Sequence, residues 1–302
     1  MNLSVKIGRM VMQNPVTVAS GTFGYGAEYA QLFDVNQLGA VTVKGIRLKQ
    51  VPGNPTPRTV EVSSGMLNAI GLQGPGVEGF IKKYWPFLKD LKVPTIINIW
   101  GTTVEEYAEV AARFDALGGV GALELNVSCP NIKEGGAQFG TDCKLLAQVV
   151  AACRKATTLT LITKLSPNVP SIAPFAKAAE ENGSDALAVT NSFPAMAIDI
   201  QTRKAKLANV TGGLTGPAIK PIAIKLVWEA AKAVKIPIIG MGGIQNADDA
   251  IEFLMAGATA VAVGTANFYE PQTALQVVAG IREFMANKHL ADVRELTGSF
   301  KM

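Results

Sequence analysis

Short, nearly continuous apolar runs rich in β-branched residues recur along the chain. They are Val16–Ala19, Val41–Lys44, Thr95–Ile99, Ala122–Val127, Thr160–Leu165, Ala186–Asn191, Pro237–Met241 and Ala260–Gly264. A run without polar alternation suits a strand buried on both faces. The stretches between them have helical spacing. Residues 104–117 set Tyr107, Val110, Ala111 and Phe114 on one stripe, and 142–154, 172–181, 219–233, 247–255 and 271–286 repeat the pattern. Eight strands alternating with helices predict parallel pairing with right-handed crossovers. The expected fold class is α/β, a (β/α)8 TIM barrel, with residues 1–302 as one domain. A doubly wound open sheet is the main rival.

Two segments depart from the pattern. Residues 5–12 read as a short N-terminal hairpin plugging the barrel bottom. Residues 46–86 form a long inserted loop after the second strand, punctuated by Pro52, Pro55, Pro57, Gly65, Gly71, Gly74, Pro75 and Gly76. Loops of that length inside a compact domain are usually functional.

The strand ends carry the candidate chemistry. In such barrels the site lies at the C-terminal ends of the strands. Here those ends hold Ser20, Lys44, Asn98, Asn126, Lys164, Asn191-Ser192, Gly242-Gly243 and Gly264-Thr265. One polar residue after an apolar run is unremarkable, but a full ring of them indicates a shared ligand cavity. The glycines after strands seven and eight either make tight turns or cradle a phosphate with backbone amides; two such pairs at the usual barrel phosphate position favour the cradle. Lys44 and Lys164 follow apolar residues at their strand ends. Ammonium groups held there would stabilise negative charge, such as a reduced flavin or a carboxylate. Asn68, Asn98, Asn126, Asn131 and Asn191 offer the paired donors and acceptors that a ring with carbonyls and N–H groups needs.

Composition narrows the function classes. The chain has 302 residues, 48% hydrophobic and 17% charged, with a net charge of +4. That is enough apolar residue for a sizeable core and excludes a disordered or coiled-coil protein. No run of five basic residues occurs, which argues against nucleic acid. No apolar run approaches the ~20 residues of a membrane span, and the first twelve residues contain no secretory apolar region. Three cysteines without a C-x-x-C pair suggest neither a zinc site nor an iron–sulfur cluster. Their odd count fits a reducing cytoplasm, so no metal and a cytoplasmic location are expected.

Cys129 stands in the polar loop Asn126-Val-Ser-Cys-Pro-Asn131, among candidate ligands. It could act as a general base or a nucleophile if nearby cations favour its thiolate. The single histidine, His289, follows the last barrel helix, which leaves Cys129 as the best proton acceptor. Neither a Gly-x-Ser-x-Gly elbow nor a P-loop is present.

The combined motifs resemble a known family. Ala19-Ser-Gly-Thr-Phe-Gly24, Val43-Lys-Gly45, Asn54-Pro-Thr-Pro-Arg58, Asn68-Ala-Ile-Gly-Leu72, Glu124-Leu-Asn-Val-Ser-Cys-Pro-Asn131, Thr190-Asn-Ser192 and Gly240-Met-Gly-Gly-Ile244 look like class 1 dihydroorotate dehydrogenase. Ser20-Gly-Thr-Phe-Gly-Tyr25 and Gly264-Thr-Ala-Asn-Phe268 make the class 1B catalytic subunit the nearest match. The resemblance implies a flavin mononucleotide held by Ser20, Lys44, Gly45, Asn98, Asn126, Lys164, Thr190, Gly216, Gly242, Gly243, Gly264 and Thr265. It implies a pyrimidine held by Lys44, Asn68, Ala69, Ile70, Gly71, Leu72, Asn126, Asn131, Asn191 and Ser192. It gives Cys129 the C5 proton of dihydroorotate while a hydride leaves C6. It also implies a homodimer core with a partner subunit carrying FAD and a [2Fe-2S] cluster, together a heterotetramer passing electrons to NAD. A fumarate-using class 1A enzyme and a dihydropyrimidine dehydrogenase-like barrel are the alternatives. Two positions differ from the family pattern: Gly74-Pro-Gly76 replaces Asn-Pro-Gly in the substrate loop, and Trp100 is bulkier than expected.

Overall fold

The computed structural model describes residues 1–127 and 139–301. Its centre is an eight-stranded parallel sheet of β1 (Val16–Val18), β2 (Val41–Ile46), β3 (Thr95–Ile99), β4 (Ala122–Asn126), β5 (Thr160–Lys164), β6 (Ala186–Val189), β7 (Ile238–Met241) and β8 (Ala260–Val263). The strands hydrogen-bond in the order β1-β8-β7-β6-β5-β4-β3-β2. The remaining seam, between β1 and β2, is bridged by loop and side-chain contacts. Gly39 N donates to Val16 O at 2.8 Å, Thr17 Oγ1 to Ala40 O at 2.9 Å, and the Thr17 and Thr42 hydroxyls lie 3.0 Å apart. The strands therefore wrap into a nearly closed (β/α)8 barrel, as the run pattern predicts, and the open-sheet rival is set aside.

The outer layer follows the helical stretches of the sequence. Val104–Leu117, Cys143–Ala156, Ala173–Glu181, Lys220–Ala233, Ala247–Met255 and Thr273–Asn287 follow β3 to β8 in turn. Side-chain caps set three of the starts. Thr103 accepts from Glu106 N, Asp142 from the Lys144 and Leu145 amides, and Asn246 from Asp249 N. Each satisfies an amide that the first helical turn leaves without a partner. Their buried stripes, such as Tyr107, Val110, Ala111 and Phe114, join one core with the strands.

The N-terminal hairpin pairs Val5–Ile7 with Met10–Met12. Arg9 N donates to Thr160 Oγ1 at 3.0 Å and the Arg9 side chain to Thr158 O at 3.1 Å, so the hairpin seats against the start of β5 at the barrel bottom.

The insertion after β2 is not a bare loop. It carries the strands Thr59–Val62 and Gly65–Asn68 and the helix Gly76–Lys83. A second excursion, between β6 and the next helix, contributes Phe193–Met196 and Thr211–Thr215. The two excursions build one antiparallel sheet in the order 193–196, 211–215, 65–68, 59–62. Its own small core holds Leu67, Ala69 and Leu207. This second half is absent from the sequence-based expectation. Among the described residues, no helix is long and apolar enough to cross a membrane.

Candidate active site

The strand register gathers the site. Parallel cross-strand partners share a face of the sheet, and so do residues two apart on one strand. Asn98 pairs with Glu124, and Asn126 pairs with Lys164. Asn98, Glu124, Asn126 and Lys164 therefore share one face, with Asn126 and Lys164 ending β4 and β5, Asn98 next to the end of β3, and Glu124 in the middle of β4. Asn98 Nδ2 donates to Glu124 Oε1 at 2.6 Å, and Lys164 Nζ stands 3.9 Å from the same oxygen. Asn191, just past β6, donates through Nδ2 to Asn126 Oδ1 at 3.3 Å, and its own Oδ1 accepts from Ser192 N at 2.8 Å. Tyr107 OH fixes the end of β4 from outside by donating to Asn126 O at 2.7 Å.

Lys44 and Gly45 close the ring from β2. Lys44 N donates to Gly24 O at 2.9 Å, tying the strand to the turn that holds Ser20. Burial, and behind it the positive charge of Arg58, push the Lys44 ammonium below its ordinary value, while Glu28 pulls the other way. Gly45 is needed for space: a Cβ there would lie 2.7 Å from Asn98 Oδ1 and 3.3 Å from the Trp100 ring. The bulky Trp100 is accommodated against that bare backbone, with the Arg47 guanidinium 5.0 Å from its ring centre.

The insertion brings residues 68–72 to the same mouth. Asn68 Nδ2 donates to Gly213 O at 3.4 Å, and Asn54 holds the loop by donating to Ala69 O at 2.9 Å and Ile70 O at 3.0 Å. Gly71 and Leu72 both have positive φ, 74° and 50°. Gly74 exchanges two backbone hydrogen bonds with Val51, so the loop is braced by main chain where the family pattern has an asparagine.

Past β7 and β8 stand the glycines. Gly243 (φ 81°) approaches so closely that a Cβ would sit 2.8 Å from Gly216 O. Gly242 lies beside it, and Gly264 and the buried Thr265 end β8. Lys220, the nearby cation, is bound to Asp249 at 2.6 Å and Glu252 at 2.9 Å. The backbone amides of these glycines are groups that can meet an anion.

The chain matches the family description of dihydroorotate dehydrogenase over residues 2–285. It belongs to the dihydroorotate dehydrogenase family. Similar curated proteins are each named "Dihydroorotate dehydrogenase B (NAD(+)), catalytic subunit". The one from Trichlorobacter lovleyi is 54% identical over 299 residues, covering 99% of this chain and 98% of that protein. The one from Desulforamulus reducens is 52% identical over 299 residues, with the same coverage. The one from Geotalea daltonii is 50% identical over 301 residues, covering 100% and 99%.

Within this dihydroorotate dehydrogenase fold, Ser20, Lys44, Gly45, Asn98, Asn126, Lys164, Thr190, Asn191 and Ser192 sit at the strand ends, Gly216, Gly242, Gly243, Gly264 and Thr265 at the glycine-rich side, and Asn68 to Leu72 on the insertion. Cys129 and Asn131 lie outside the described residues. Sequence reasoning missed Glu124, whose signal was a single charge inside an apolar strand. It also missed Arg58, whose charge reaches Lys44. Among the described residues, no group of three or more His, Cys, Asp or Glu is placed to hold a metal.

Proposed function

We propose that this chain is the catalytic subunit of an NAD-linked dihydroorotate dehydrogenase, oxidising dihydroorotate to orotate in de novo pyrimidine biosynthesis at a flavin mononucleotide. The observation that carries the reading is a pair of buried oxygens at the barrel mouth. Asn98 Oδ1 and Thr190 Oγ1 are enclosed and have no hydrogen-bond partner among the described residues. Buried polar atoms of this kind need a partner, and a ring with N–H and carbonyl groups supplies one. The donor set fits a flavin mononucleotide. Ser20, Lys44, Gly45, Asn98, Asn126, Lys164 and Thr190 would hold its ring, and the amides around Gly216, Gly242, Gly243, Gly264 and Thr265 its phosphate. Bound there, the flavin supplies the acceptor for the C6 hydride.

The chain's own groups do the rest. Lys44, Asn68 to Leu72, Asn126, Asn131, Asn191 and Ser192 hold the pyrimidine. Lys44 and Arg58 make this end of the site attractive to the substrate carboxylate. Lys44 also stabilises negative charge during the reaction. Cys129 takes the C5 proton as general base.

Two catalytic chains form a homodimer core, and each binds a partner subunit carrying FAD and a [2Fe–2S] cluster that reduces NAD. The naming of the relatives as catalytic subunits supports a partner. Met196, Ile198, Ile200 and Val210, all exposed on the second excursion, support association of two copies. The assembly works in the cytoplasm.

The test is direct. The purified chain carries flavin that is released as the mononucleotide, and anaerobic dihydroorotate bleaches it while dihydrouracil does not. Recovery of FAD alone, or of no flavin, overturns the cofactor. Faster bleaching by dihydrouracil moves the chain to the dihydropyrimidine dehydrogenase-like reading.

A further inference from the structure

We propose that Glu124 is a positioning residue of the flavin site: its carboxylate, shared between the Asn98 amide and the Lys164 ammonium, orients the first and sets the net charge that the second presents at the end of β5. The inference rests on the flavin reading above and extends it to a residue one layer deeper in the barrel.

Glu124 stands in the middle of β4 and is 2% exposed. A carboxylate is rarely buried to that degree unless paired. The register explains how it is paired. Asn98 is its direct neighbour on β3, and Lys164 is the neighbour of Asn126, two residues further along β4 on the same face. One oxygen, Oε1, meets both partners, at 2.6 Å from Asn98 Nδ2 and 3.9 Å from Lys164 Nζ. The first is a short, charge-assisted hydrogen bond. The second is beyond hydrogen-bond length and acts through charge.

Two consequences follow. An amide has a donor end and an acceptor end, and a carboxylate accepts only. Turning Asn98 over would set two oxygens against each other at the 2.6 Å separation. Glu124 therefore commits Nδ2 to its own carboxylate and leaves Oδ1 as the end beside Gly45. That oxygen lies 2.7 Å from where a Gly45 Cβ would stand, and it is one of the buried atoms without a partner. The site thus presents an acceptor at this position because of a residue that does not itself reach the mouth. The second consequence is electrostatic. A carboxylate this close to Lys164 offsets its positive charge in a poorly solvated interior, where charges couple strongly. Without it, the site favours an electron-rich, reduced flavin more than the native protein does.

Glu124→Gln separates the two roles, because glutamine can still accept from Asn98 while the charge is gone. The variant is expected to retain flavin and to raise its midpoint potential, by about tenfold in the oxidised-to-reduced equilibrium, or ~30 mV for two electrons. An unchanged or lowered potential in a flavin-loaded variant overturns the proposal. A charge-pair rescue tests it independently of flavin and of the folding of that single variant. Lys164→Met leaves the carboxylate without its cation and lowers the thermal midpoint by a few degrees. Adding Glu124→Gln to Lys164→Met restores at least half of that loss, both in the chain as purified and after flavin removal. A double variant no more stable than Lys164→Met shows that the two groups are not coupled and overturns the proposal. If the wild type binds no flavin at all, the functional reading fails. If it binds flavin and these variants behave otherwise, only the role of Glu124 fails.

Discussion

Asn191 joins Asn126 across the mouth of the barrel: the amide of one donates to the side-chain oxygen of the other at 3.3 Å, linking the ends of β6 and β4. Both residues stand where the pyrimidine is proposed to bind, and Asn191 also fixes the following turn through Ser192 N. Asn191→Ala removes a substrate contact and loosens Asn126, while the ring-binding lysines stay in place. The expected result is a 10–100-fold rise in KM for dihydroorotate, the size of one or two lost hydrogen bonds, with flavin content unchanged. Steady-state kinetics and the flavin-to-protein ratio check it. Loss of flavin in parallel with KM would assign Asn191 to the cofactor instead.

The barrel was legible because strands buried on both faces leave continuous apolar runs, and because the stretches between them keep helical spacing, as Tyr107, Val110, Ala111 and Phe114 do. The strand-end residues Lys44, Asn98, Asn126 and Lys164 were legible as polar groups where an apolar run stops. Glu124 was not, since one charge inside a strand has no meaning until the register sets it opposite Asn98. The second excursion was hidden for a different reason. Phe193–Met196 contains Pro194, and Thr211–Thr215 contains Gly212 and Gly213, residues that argue against strands locally. Their pairing partner, Gly65–Asn68, is far away in the chain, so tertiary pairing overrides local propensity.

The thiols offer a selective probe. Burial pushes the Cys153 thiol up to about 12 despite Arg154 beside it, and burial followed by the charge of Asp142 raises Cys143. Neither is a ready thiolate near neutral pH. A limiting amount of iodoacetamide at pH 7.5–8 (roughly the range where an ordinary thiol begins to ionise) should therefore label Cys129 first, and orotate should slow the labelling. Peptide mapping reads the order. Cys129→Ala should slow flavin reduction by dihydroorotate ~10²–10⁴-fold with orotate binding retained. Preferential labelling of Cys153 in the folded protein would contradict this ordering.

Acid stability should depend on Glu106. Burial alone would raise its pKa, but hydrogen bonds from Arg47 and Thr102 outweigh it and hold the carboxyl below its ordinary value. Arg47 meets both its oxygens, at 2.8 and 3.0 Å, from the segment just after β2. A depressed carboxyl contributes stability above its unfolded pKa, and that stability is lost as pH falls through the folded value. The loss should begin near pH ~4.3, the ordinary glutamate value, and continue below it. Glu106→Gln should cost ~1–3 kcal/mol at pH 7 and flatten the acid limb of stability. Urea unfolding between pH 3 and 7 (a span chosen to bracket that value, roughly one unit below to three above) measures both; equal acid slopes for wild type and variant would exclude the pair as a determinant.

The route of the electrons decides the class of the enzyme. Each turnover leaves two electrons on the cofactor, and they must leave before the next substrate is oxidised. The Gly-x-Gly-x-x-Gly match Gly74-Pro-Gly76-Val-Glu-Gly79 runs into the helix Gly76–Lys83, but the strand before it, Gly65–Asn68, is antiparallel to its partners and Gly74 is bonded to Val51, so it is not the parallel strand–turn–helix unit that binds a dinucleotide. Its three cysteines fall short of the four thiolates of an iron–sulfur cluster. On the proposed reading, NAD is reduced through the FAD and [2Fe–2S] subunit rather than at the barrel. The isolated chain should oxidise dihydroorotate with an artificial dye, reduce fumarate poorly, and reduce NAD only when the partner is supplied. The ratio of the NAD rate with and without partner is the measured quantity, and it should rise at least ~10²-fold, the gap expected between a diffusional leak and a positioned relay. Efficient fumarate reduction by the chain alone would place it in the fumarate-using class, and partner-free NAD reduction would require a nucleotide site on the barrel itself.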